Sequence, residues 1–143
     1  MSLFELFKPK PTAPADDLPL AFAKLMAALE VPDYPALRTA ADALLQLHDL
    51  PQGSRPNVLR LRARARVEMS DFAAAVADYT ALLADGLASV NEDLRAETLA
   101  YFGVALYQTG QVAAAHARFN EAATLAPDDP EIAALRARCD ENG

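Results

Sequence analysis

The chain has 143 residues, which is enough for one domain with its own hydrophobic core and too few for two ordinary domains. Its 13 basic and 20 acidic residues give a formal net charge of −7, and this excess of acid disfavours binding to nucleic acid or to an anionic membrane. No apolar run approaches the roughly 20 residues of a membrane-spanning helix. With a single cysteine and no recognisable signal peptide, we expect a cytoplasmic protein without integral membrane insertion.

Residues 1–15 are predicted to form an extended N-terminal segment. Four apolar side chains open it: Leu3, Phe4, Leu6 and Phe7. Prolines 9, 11 and 14 follow, and they exclude a helix because proline lacks a backbone donor. The apolar cluster predicts docking on its own domain or on another copy, with a homo-oligomer through residues 3–7 as one outcome. Binding to a partner or weak contact with a membrane surface are alternatives.

Residues 16–143 are predicted to form a domain built only from helices. No proline lies between residues 57 and 126, and Ala, Leu and Arg, which are strong helix formers, dominate this interval. Ser70, Gly86 and Gly110 indicate helix ends. A capping box of Ser89 with Glu92, and Asp129 before Pro130, indicate helix starts. The predicted helices span residues 16–30, 34–48, 56–69, 71–84, 90–109, 112–125 and 130–140.

Residues 59–67 also fit a different element, because apolar and charged side chains alternate there with the period of a half-buried strand. Ala and Arg are poor strand residues, and no neighbouring segment offers a pairing partner. We therefore predict a helix here and keep the strand as the alternative.

The sequence contains an internal repeat at an offset of 40 residues. Ala75 with Tyr79 superposes on Ala115 with Phe119, and Leu59 superposes on Leu99. A small residue followed four positions later by an aromatic one suits two helices that cross at close range.

Residues 96–129 resemble the tetratricopeptide repeat, a 34-residue helix-turn-helix unit. The matching positions are Leu99, Phe102, Gly103, Leu106, Ala115, Phe119 and Pro127, with Gly110 at the turn. Residues 56–86 carry a degenerate copy, with Arg62 and Arg66 at positions that are usually large and apolar. Residues 18–50 form a first unit around the turn at Asp33. The resemblance implies an all-α, right-handed helix-turn-helix solenoid of about three helix pairs, closed by a solvated capping helix over residues 130–143.

No constellation of residues predicts catalysis, a metal site or a cofactor. His48 and His116 lack acidic or cysteine ligands at metal spacing. Cys139 lies on a terminal helix that we expect to fray, so it is interpreted as an incidental thiol. The protein is therefore predicted not to be an enzyme.

The most unusual local feature is a basic run, in which positions 55, 60, 62, 64 and 66 are all arginine. Arg60 and Arg64 share one helical face, which the resemblance places on the concave, peptide-binding surface. A guanidinium pair there suits a carboxylate of an acidic partner. The alternative is that the arginines form ion pairs with neighbours, for which Asp71, Asp78, Asp93 and Glu97 are available.

The resemblance therefore implies a groove that binds a partner peptide or helix, as an adaptor or scaffold. Its predicted residues are Arg60, Arg64, Phe22, Met26, Leu29, Tyr101, Val104 and Tyr107. Two further functions remain open, a chaperone for a single client protein and a self-associating structural protein.

Overall fold

The structure is a computed structural model that describes residues 17–142, with the side chains of residues 18–140. Within this range the chain forms helices and no strand, which confirms the all-α prediction and the helix over residues 59–67. The α-helices are α1 (Asp17–Glu30), α2 (Tyr34–Gln46), α3 (Arg55–Glu68), α4 (Phe72–Leu82), α5 (Arg95–Gln108), α6 (Val112–Leu125) and α7 (Pro130–Asn142). Two 3-10 turns, Leu87–Ser89 and Glu92–Leu94, precede α5. The predicted segment 1–15 lies outside the described residues.

Side-chain caps define two of the helix starts. The Asp33 carboxylate accepts a hydrogen bond from the Ala36 N–H at 3.1 Å and caps α2. The Asp129 carboxylate accepts from the Glu131 N–H at 2.9 Å at the start of α7, as the sequence predicts. These bonds satisfy backbone donors that a helix start leaves without intrahelical partners.

The predicted capping box of Ser89 with Glu92 is wrong, because α5 begins at Arg95 without a side-chain cap. The Val90 side chain is buried in the core, and the neighbouring Leu87 and Leu94 pack against it. The Arg95 side chain donates to the Val90 carbonyl at 2.9 Å. Apolar anchoring of this loop therefore replaces the capping box.

Each helix packs against the next one along the chain, and two alternate pairs also touch, α3 with α5 and α5 with α7. The central helix is α5, in which nearly every residue from Ala96 to Leu106 is buried. One core cluster joins α3 to α7, and a second joins α1 and α2 to the inner face of α3. Helix α3 therefore connects the two clusters.

The turn between α3 and α4 and the turn between α5 and α6 share one backbone geometry. Ser70 and Gly110 are both left-handed, with φ of 60° and 85°. In the first turn, the N–H groups of residues 69, 70 and 71 donate to the carbonyls of residues 65, 67 and 66. In the second, residues 109, 110 and 111 donate to residues 105, 107 and 106. The offset of 40 residues seen in the sequence is thus repeated in the hydrogen bonds.

Side-chain packing follows the same offset. Ala75 and Ala115 are completely buried, and Tyr79 and Phe119 are each 1% exposed. A Cβ atom at Gly103 would lie 3.0 Å from three ring carbons of Phe119, so α5 and α6 cross closely at this glycine.

Helix α7 is more than a solvated cap. Ile132, Leu135 and Cys139 are buried in the core against α5, while Arg138 lies on the exposed side. Cys139 is 1% exposed and burial raises the pKa of its thiol. Cys139 is expected from the sequence on a terminal helix that frays, whereas the structure buries its side chain in the core because α7 packs an apolar stripe against α5.

Candidate functional site

Two arginines of the run on α3 are held by carboxylates of the neighbouring helices. Asp78 of α4 is 4% exposed and accepts two hydrogen bonds from Arg62, at 3.0 and 2.7 Å, and one from Arg66 at 2.8 Å. Arg62 also donates to Asp42 of α2 at 2.9 Å. The hydrogen bonds that Arg62 donates to Asp78 raise the pKa of Arg62, although burial opposes this. These two arginines therefore connect α2, α3 and α4.

Arg64 is also paired, but toward α5. Its guanidinium donates to Glu97 at 3.1 Å and lies 4.9 Å from the centre of the Tyr101 ring, within cation–π range. The Tyr101 hydroxyl donates to Glu131 of α7 at 3.3 Å. Burial raises the pKa of Tyr101 to about 12, against the opposing effect of Arg64. Tyr101 therefore stays a neutral donor at ordinary pH.

Arg60 is different, because it has no ion pair among the residues that the structure describes. Its guanidinium donates to the neutral amide of Asn57 at 2.8 Å, and no described carboxylate oxygen lies within 4.0 Å. Burial lowers the pKa of Arg60, and the more distant Glu97 and Asp93 only partly offset this. Arg60 is thus a partly desolvated cation that forms no short ion pair in the described chain, although Glu97 and Asp93 act on it from a distance.

A cleft of about 240 Å³ lies in front of Arg60. Phe22 of α1 and Val58 of α3 line its apolar part, while Asn57 and Asn91 contribute amides. Asn57 precedes Arg60 by three residues, so helical spacing alone could have found it. Asn91 comes from the loop before α5, and no local signal in the sequence predicts that the loop reaches this cleft.

A second, smaller cleft of about 80 Å³ is bordered by residues further along the same two helices, α1 and α3. Leu29 and Tyr34 line it together with Arg64. Phe22 therefore accompanies Arg60, and Leu29 accompanies Arg64. We name these two clefts, which both have walls from α1 and α3, the arginine seam.

The remaining predicted groove residues lie away from the arginine seam or offer it little surface. Met26 is 57% exposed and lines neither cleft. Val104 is 2% exposed in the core, and Tyr101 is 5% exposed beneath Arg64. Tyr107 packs edge-on against His116 of α6, with ring centres 6.4 Å apart. The structure thus brings together Phe22, Arg60, Leu29, Arg64 and Tyr101.

A neighbouring cleft has acidic walls, in contrast to the cleft at Arg60. A cleft of about 290 Å³ beside α5 is bordered by five acidic residues, Glu92, Asp93, Glu97, Asp129 and Glu131. The one basic residue on its wall, Arg95, is bonded to the Val90 carbonyl. The loop over residues 89–94 thus borders both this acidic cleft and the cleft at Arg60.

No model of a protein family, no curated protein and no solved structure matches this chain. In the described range 17–142, none of the helices is both long and apolar enough to cross a bilayer. The same residues contain no group of three or more His, Cys, Asp or Glu side chains placed to hold a metal ion.

Proposed function

We propose that this protein is a binding module without catalytic chemistry, and that it holds an acidic segment of another polypeptide along the arginine seam. The observation that carries this proposal is Arg60, a partly buried guanidinium that forms no short ion pair in the described chain and lines an open cleft. Partial removal of a charge from water without a carboxylate at ion-pair distance is unfavourable. A ligand carboxylate would remove this cost.

The surroundings of Arg60 favour a peptide over a small free anion. Phe22 and Leu29 supply apolar contacts on either side of the two guanidinium groups. Apolar anchors beside charge-assisted hydrogen bonds are typical of peptide recognition. Arg64 already binds Glu97, so we assign the ligand carboxylate to Arg60 and the flanking apolar contact to Leu29.

The charge pattern also suggests a direction for the ligand. The acidic cleft beside α5 would favour basic side chains, whereas the cleft at Arg60 would favour acidic ones. We therefore expect the preferred peptide to carry acidic residues near α1 and basic residues near α7.

We further propose that the helices form a right-handed solenoid of tetratricopeptide type. The shared turn geometry at Ser70 and Gly110 supports this, as do the contacts of α3 with α5 and of α5 with α7. In such an array alternate helices line one face. The arginine seam would then belong to the concave face of the first two units.

The variant Arg60→Glu tests the binding proposal. We expect it to weaken binding of an acidic, leucine-containing peptide by roughly 10-fold or more, since a hydrogen bond to a charged group contributes about 1.5–3 kcal/mol. The peptide is chosen from an array of Glu- and Leu-rich sequences and titrated by fluorescence anisotropy.

Arg55→Glu is the matched control, because Arg55 lies on the same helix, is exposed and undergoes the same charge change. We expect its effect to be small, since it alters only the long-range field. Equal weakening by both variants, or no binding of any acidic peptide by the unaltered chain, would contradict a specific role for Arg60.

A further inference from the structure

A second groove lies on the outer side of the first helix pair, between α1 and α2. Its two parts have volumes of about 720 and 410 Å³ and share Lys24, Ala40 and Ala43. Alanines form most of its floor, and Leu20 and Val31, at its two ends, are 53% and 76% exposed. The groove therefore runs along α1 with a mainly apolar lining, to which Lys24, Asp33, Thr39 and Gln46 add polar groups.

This groove is separate from the arginine seam. At 100° per residue, Leu20, Lys24 and Val31 lie on one face of α1, while Phe22 and Leu29 lie on the opposite face. A segment bound in the groove would therefore leave the cleft at Arg60 open.

We propose that the groove is filled by residues 3–7 of the same chain. This segment, Leu3-Phe4-Glu5-Leu6-Phe7, is the most apolar part of the sequence that precedes α1. Its four large apolar side chains match a groove with a small-residue floor. Its one charge, Glu5, is complementary to Lys24, which lines both parts of the groove, whereas Asp33 lines one part only and its carboxylate caps α2.

The length of the connecting chain fits this assignment. The described chain begins at Asp17, next to the groove end marked by Leu20 and Ala21. Nine residues separate Phe7 from Asp17, and they can span at most about 30 Å. Helix α1, with 14 residues, is about 21 Å long, so residues 3–7 can reach every part of the groove. The short tether also gives a high effective concentration, which favours the same chain over a second copy.

Paramagnetic relaxation enhancement in the full chain tests this proposal. A nitroxide is attached to the variant Ser2→Cys, while Cys139 is spared because it is 1% exposed. An unaltered chain treated with the same reagent checks this. We expect strong loss of the amide signals of Ala36, Ala43 and other groove residues, and recovery of those signals in the added double variant Phe4→Asp, Phe7→Asp.

Mixing experiments separate the possible occupants. Spin-labelled chain without ¹⁵N is mixed with ¹⁵N-labelled chain that carries no spin label. Loss of groove signals in this mixture would mean that a second copy fills the groove, and this result would overturn the proposal. Unchanged groove signals in the spin-labelled, ¹⁵N-labelled chain, or stronger signal loss at the arginine seam than in the groove, would also overturn it. The double variant should bind the acidic peptide with the same affinity as the unaltered chain. A wrong assignment of the groove can therefore be distinguished from a wrong assignment of the Arg60 site.

Discussion

Replacing Phe119 with alanine is expected to lower the free energy of unfolding by about 3–5 kcal/mol, the range for removing a buried aromatic side chain. The Phe119 ring is 1% exposed and lies against Gly103 at the closest crossing of α5 and α6. Arg136 of α7 lies over the same ring at 5.7 Å. The alanine variant would leave a cavity among three helices, because the backbone around a glycine contact cannot collapse far.

Urea unfolding followed by circular dichroism measures this loss. Val112→Ala is the matched control, since Val112 lies on the same helix and is 43% exposed, and its effect should stay within about 0.5 kcal/mol. Tyr79→Ala, at the equivalent position of the preceding unit, should resemble Phe119→Ala. If Phe119→Ala lowers the free energy of unfolding no more than Val112→Ala does, the close crossing of α5 and α6 at Gly103 is incorrect. Phe119→Leu provides a milder variant if the alanine variant does not fold.

The second large effect is expected from Asp78→Ala, with a loss of about 3 kcal/mol in the free energy of unfolding. Removing one partner of a buried ion pair typically costs about 3–5 kcal/mol. The lower end applies here because the side chains of Arg62 and Arg66 are each about one fifth exposed and can regain some water. Asp78 accepts hydrogen bonds from both arginines, so its loss leaves two cations on α3 without their main partner.

Asp71→Ala controls for loss of an acidic residue near the same helix, because Asp71 is exposed and makes no side-chain cap. Its effect should be within about 0.5 kcal/mol. Chemical denaturation at constant salt measures both variants. Equal stability of the Asp78 and Asp71 variants would show that the ion-pair network does not stabilise the packing of α4 on α3.

Helix positions were largely predictable because prolines, glycines and caps mark them locally. The exception is the start of α5, because Val90 is buried in a core cluster that combines helices far apart in the chain, from α3 to α7. The alternating pattern of residues 59–67 has a tertiary cause. The alternate residues Leu61, Ala63, Ala65 and Val67 are all buried, because α3 is enclosed by α2, α4 and α5. A helix buried on several sides loses the simple period of a surface helix.

The candidate site was only partly predictable. Helical spacing places Arg60 and Arg64 on one face, but it cannot show that Glu97 neutralises Arg64 and leaves Arg60 unpaired. Asp42 is a similar case, since its bond to Arg62 joins residues 20 positions apart. Both contacts depend on how separate helices pack. Val104 shows a different kind of error. The resemblance to the repeat family implies that Val104 lines the groove, but its side chain is buried in the core.

A double-mutant cycle between Arg60 and the bound peptide tests the central claim most directly. Arg60→Gln in the protein is combined with Glu→Gln at the key acidic position of the peptide, and the four affinities are measured by titration calorimetry. A direct contact between charges predicts a coupling energy of about 1.5 kcal/mol or more. Additive effects of the two changes would contradict the assignment of Arg60 as the carboxylate-binding residue.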